Sequence, residues 1–185
     1  MSTANYAQRL VFVLCATLTF SAGHAQPPGL KVGQGYWDVA PHARQETTAF
    51  GVTLHACPLG FAMGGANVVE NGFSCTRVVP LGKESSVHTV YDRGTQKDFG
   101  TGSMHVCPAG MYMRGFHEGL NILACSDGVT LAPSFLDPSG KTQMATKGLN
   151  QDEAHVCPPT TGLGPWGIMT GIHVGRNDFA CALYK

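Results

Sequence analysis

The chain has 185 residues, with 12 lysines plus arginines against 12 aspartates plus glutamates and a pI near 7.1. An apolar fraction of 43% with 13% charged residues is ordinary globular usage and excludes a charge-rich disordered chain. The balanced charge lacks the basic footprint of a nucleic-acid binder, and no apolar run is long enough for a membrane-spanning helix.

Met1 to Arg9 is short and polar, with Arg9 as its one charged side chain. An apolar stretch from Leu10 to Phe20 follows, and Gly23 and Ala25 supply small residues three and one places before Gln26. This pattern predicts a secretory signal peptide over 1–25 and a periplasmic or secreted domain over 26–185. Such compartments oxidise thiols, and beyond Cys15 an even set of cysteines remains.

Those cysteines belong to a motif that occurs three times. Cys57, Cys107 and Cys157 recur every 50 residues, each in His-x-Cys-Pro (His55, His105, His155). Each is followed by Met-x-Gly-x-[His/Asn]-x-x-x-Asn-x-x-x-Cys, running Met63 to Cys75, Met113 to Cys125 and Met169 to Cys181. The third copy carries an insertion, Pro159 to Gly164, before Trp166. The units are a spacer plus a motif, 29–78, 79–128 and 129–185. Agreement at this many positions marks an internal repeat.

The local chemistry predicts strands. His-x-Cys is a short extended piece, Pro followed two residues later by Gly is a turn, and Asn near Gly makes a second turn. Ile122 to Cys125 and Phe179 to Cys181 are short apolar strands. Each motif is therefore expected to form a three-stranded meander, too small to bury a core alone. Glycine and proline interrupt every helical window, leaving one helical turn at Gln143 to Lys147. The expected fold is all-β, with three disulfide-stapled repeats of about 50 residues arranged pseudo-threefold, as in a β-trefoil or β-prism. A linear stack is the alternative.

Equivalent units favour equivalent bridges: Cys57–Cys75, Cys107–Cys125 and Cys157–Cys181, or a cyclic pattern joining each unit to the next. Each closure should stabilise by about 3 kcal/mol in the chain-entropy account. The absence of CxxC spacing argues against a zinc ribbon or a thioredoxin-like motif.

The repeated polar residues are the candidate site. Within a strand, residues two apart share a face, which places Met113 with His117 and Met169 with His173. Imidazole and thioether together suit copper, and imidazole alone suits zinc. His55, His105 and His155 meeting on a threefold axis would form a three-histidine site with one open position. The structural alternative ties each histidine to a backbone carbonyl beside its disulfide, with methionines in the core and asparagines in turns.

No nucleophile elbow, P-loop, HExxH or haem-attachment motif is present, so a non-catalytic binding module is expected. Its ligand is a metal ion (Cu or Zn) or, alternatively, a glycan. The glycan would use Trp166, with Tyr112 or Phe61, as an aromatic face beside Glu118, Asn121, Asn177 and Asp178. A secreted inhibitor or structural protein is a third reading.

Overall fold

The computed structural model describes residues 29–38, 45–48, 50–67, 72–138, 143–145, 153–159 and 167–185. The expected signal peptide, Asn71 and Trp166 lie outside the described residues. Within them the chain is all-β: short strands joined by turns and three single-turn 3-10 helices. No described helix is long and apolar enough to cross a membrane.

Each motif contributes three strands. The His-x-Cys segments are β3 (Thr53–Ala56), β8 (Ser103–Val106) and β13 (Glu153–Val156). The Met-x-Gly segments are β4 (Phe61–Asn67), β9 (Tyr112–His117) and β14 (Ile168–His173), and the closing strands are β5 (Gly72–Arg77), β10 (Ile122–Ser126) and β15 (Asp178–Ala182). The spacers are not featureless. Each supplies one strand ending in aspartate, β1 (Gly35–Asp38), β6 (Thr89–Asp92) or β11 (Phe135–Asp137), and one beginning with glutamine, β2 (Gln45–Thr47), β7 (Gln96–Asp98) or β12 (Gln143–Ala145). The predicted helical turn at Gln143 is thus the start of an antiparallel strand, held by pairing with β13.

Three five-stranded sheets result, in the orders β1-β5-β4-β13-β12, β6-β10-β9-β3-β2 and β11-β15-β14-β8-β7. Every sheet reads aspartate strand, motif hairpin, His-x-Cys strand, glutamine strand. The hairpin comes from one motif and the His-x-Cys strand from another. β3 pairs with β9, β8 with β14 and β13 with β4. The expected meander within one copy does not form, because the His-x-Cys strand and the hairpin that follows it join different sheets; in the first two copies Pro-x-Gly makes the turn between them. Gly60 and Gly110 sit at φ +81° and +83°. Their turns close through Phe61 N–H to Pro58 O at 3.1 Å and Met111 N–H to Pro108 O at 3.0 Å.

The docking of the exchanged strand explains Met-x-Gly. The residue between Met and Gly is bulged in all three hairpins. Its carbonyl accepts the cysteine N–H of the incoming strand: Cys57 to Arg114 O at 2.8 Å, Cys107 to Thr170 O at 2.7 Å and Cys157 to Gly64 O at 2.7 Å. The incoming histidine carbonyl then lies directly against the glycine. A Cβ on Gly65, Gly115 or Gly171 would overlap the carbonyl oxygen of His155, His55 or His105 respectively. The glycine is required by close backbone approach.

The core sits where β4, β9 and β14 meet one another. Met63, Met113 and Met169 are fully buried there, opposite Cys75, Cys125 and Cys181 in register. The bridges are Cys57–Cys75, Cys107–Cys125 and Cys157–Cys181, each within its own copy. Phe61, Phe73, Leu123, Ile172 and Phe179 complete the cluster. Two arginines are also buried: Arg77 pairs with Glu84 at 2.7 Å, and Arg114 pairs with Glu46 and donates to Cys57 O at 2.6 Å.

Gly115→Ala should lower stability by about 3 kcal/mol, the upper end of ordinary overpacking. Gly94→Ala, where an added Cβ meets nothing within 4 Å, should change it little. Denaturant unfolding of both variants checks the contrast.

Candidate functional site at the seams between sheets

The three His-x-Cys histidines lie on three different sheets, and each faces an aspartate from the neighbouring sheet. His105 Nε2 lies 3.1 Å from Asp92 Oδ1, and His155 Nε2 lies 2.9 Å from Asp137 Oδ2. Asp38 acts electrostatically on His55. The aspartates occupy one register position, opposite Phe73, Leu123 and Phe179. His155 stacks on Phe179 with ring centroids 3.9 Å apart, and His55 meets Phe73 edge-on at 5.8 Å. Directly across the ladder from the histidines stand Gln45, Gln96 and Gln143. Each seam between sheets therefore carries a repeated His, Asp and Gln.

These histidines are not equivalent in what they leave open. His155 is held at both nitrogens, since its Nδ1 lies 2.8 Å from the carbonyl oxygen of Asn177. Both ring nitrogens are thus engaged, one by a backbone carbonyl and one by a carboxyl group. This matches the structural alternative for the repeated histidine. His105 is less enclosed and opens into a cleft.

The outer ligand position also follows the strand exchange. His117 ends β9 beside His55, and His173 ends β14 beside His105, because His55 pairs with Phe116 and His105 with Ile172. Asn67 follows Ala66, the partner of His155. The pairs thus form between copies, where the sequence pattern placed them within one copy beside a methionine. Met113 and Met169 are sealed in the core. Among the described residues, no three His, Cys, Asp or Glu side chains gather to hold a metal ion.

One seam is an open polar cleft of about 450 Å³, within the range of about 300–1,000 Å³ common for small-ligand sites. Arg93, Gln96, Ser103, Asn121, His105 and His173 line it, together with Ile172, Val174 and Gly175. Asn121 holds φ at 52° in the turn between β9 and β10 and lines the cleft. Asn177 holds the same left-handed conformation at 53°, its carbonyl committed to His155. Arg93 lies over the exposed ring of Phe50 at 4.7 Å. A second cavity of about 600 Å³ lies below the second Pro-x-Gly turn. It is more apolar and includes none of the repeated histidines or asparagines.

Several expected residues lie elsewhere. Tyr112 and Phe61 are fully buried, so neither offers a surface face for a sugar. Asp178 pairs with Arg176 Nε at 3.2 Å. The spacer aspartates and glutamines escaped the sequence reading. Their signal is Tyr36-Trp37-Asp38, Val90-Tyr91-Asp92 and Phe135-Leu136-Asp137, each followed by a glutamine and then the histidine.

Burial holds the His55 imidazole below its ordinary value; Asp38 opposes this and His117 adds to it. Burial pushes the Asp92 carboxyl up, but hydrogen bonds from Thr95 N–H and hydroxyl, His105 and Gly94 N–H prevail and leave it below the carboxylate range.

Comparison with known proteins returns no matching family model, no matching curated protein and no matching solved structure.

Acid should destabilise the fold in two stages. Below about pH 6.5 the unfolded chain protonates His55 before the folded one does, so stability falls. Lower still, Asp92 loses its hydrogen-bonded anion as pH drops through its depressed folded value. His55→Gln should flatten the first stage and Asp92→Asn the second, read by unfolding across pH 7 to 3. Asp137→Ala should cost about 1–3 kcal/mol, because it leaves the buried Nε2 of His155 without its hydrogen-bond partner.

Proposed function

We propose that the protein is an exported, non-catalytic, lectin-like binding module, whose copies close around a common axis in a prism-like arrangement. The mutual contacts of β4, β9 and β14 and the shared plan of the three sheets support the arrangement. The disulfides within each copy accord with an oxidising periplasmic or extracellular compartment. The observation that carries the functional reading is the cleft at His105. It sets amide, hydroxyl, imidazole and guanidinium groups around one open concavity, beside the exposed face of Phe50. A saccharide asks for that combination, with hydroxyls that both donate and accept and an apolar ring face that stacks.

A transition-metal reading rests on one other observation. His117 lies close enough to His55 to disfavour its charge, and His117 Nδ1 is buried without a hydrogen-bond partner. Zn²⁺ or Cu²⁺ would take such imidazoles. Calorimetry with either ion, repeated on His117→Ala, decides it: heat lost in the variant supports the reading, and no heat in the parent removes it.

For the carbohydrate reading, the purified protein should retain glycans on an array. Asn121→Ala and His173→Ala should each weaken the best of them about tenfold, the worth of one or two hydrogen bonds. A blank array would remove the reading.

A further inference from the structure

We infer that the saccharide taken by the His105 cleft is acidic, carrying a carboxylate or sulfate that pairs with Arg93; this rests on the carbohydrate reading above. The inference comes from the charges at the cleft. Among the described residues no acidic side chain lines it. Among the described side chains, the carboxylates of Asp92 and Asp178 lie near, and both are engaged. Asp92 accepts from Gly94 N–H at 3.1 Å, Thr95 N–H at 2.8 Å and the Thr95 hydroxyl at 2.9 Å, with His105 at 3.1 Å. Asp178, opposite His173 in register, pairs with Arg176. Arg93 is different. Among the described residues no carboxylate pairs with it, and its contact is the face of Phe50.

A guanidinium stacked on a ring keeps its N–H edge free, and that edge matches a planar carboxylate or a sulfate with two parallel hydrogen bonds. Stacking also fixes the fork, so less freedom is lost on binding.

The test compares three probes by calorimetry on the whole protein: an oligogalacturonide, the same oligomer with its carboxyl groups reduced to alcohols, and a sulfated galactan oligomer. One of the two acidic oligomers, or both, should bind at least tenfold more tightly than the reduced one, and the tighter arm names the anion. Arg93→Gln should abolish that difference. Phe50→Ala should weaken the acidic oligomers more than the reduced one, because it releases the Arg93 fork that the ring holds. Unchanged circular dichroism and disulfide content confirm that variants at these two exposed positions fold. Equal binding of acidic and reduced oligomers, unaffected by Arg93→Gln, would overturn the inference and leave the carbohydrate reading standing. So would failure of all three probes while neutral glycans bind on the array. Failure of every glycan would overturn both.

Discussion

A backbone contact governs this molecule: the carbonyl of each His-x-Cys histidine rests on a glycine of another copy, where a Cβ would collide. The same approach lets the bulged carbonyl beside that glycine take the cysteine N–H. With the cysteine then bridged to its own closing strand, each copy is held at one end by its own sulfur and at the other by a neighbour's sheet. No copy can complete a sheet alone. The buried methionines and disulfides at the centre follow from that mutual dependence, since the hairpins that carry them are brought together by exchange.

The seams inherit their chemistry from the exchange. A strand that leaves its own sheet carries its histidine to the aspartate of the sheet next door, and its neighbour across the ladder brings an outer histidine or asparagine. Sequence differences among copies then give the seams different characters. At Asp137 the histidine is stacked on Phe179 and locked at both nitrogens, which makes that seam a structural tie. At Asp92 the corresponding position opposite the aspartate is Leu123, without a ring to stack on, and the seam opens into the polar cleft. Duplicated scaffold with diverged seams is how a repeat can keep its fold and specialise one surface.

Much of the fold was legible because its strongest constraints are local. Met-x-Gly keeps its spacing in all three copies and Pro-x-Gly in the first two, and these pointed to strands and turns; the bridges follow the within-copy member of the two pairings left open, at separations of 18, 18 and 24 residues. The pairing partner of the His-x-Cys strand was not legible. Strand pairing is a long-range choice, and a short extended segment before a turn reads equally well as a meander. The site was legible only in part. His105, His173 and Asn121 stand out by repetition and do line the cleft. Asp92 and Gln96 did not stand out, because loops of unequal length separate aspartate, glutamine and histidine in the three spacers, and a fixed-period search cannot see through them. Arg93 and Phe50 have no counterpart in the repeat pattern at all. Their partnership arises from three-dimensional proximity.

The exchange is best tested by cross-strand nuclear Overhauser effects between backbone protons in solution. The structure predicts contacts from Ala56 to Gly115, Val106 to Gly171 and Val156 to Gly65, all between copies. Contacts from Ala56 to Gly65, Val106 to Gly115 and Val156 to Gly171 would instead return each strand to its own copy and contradict the account.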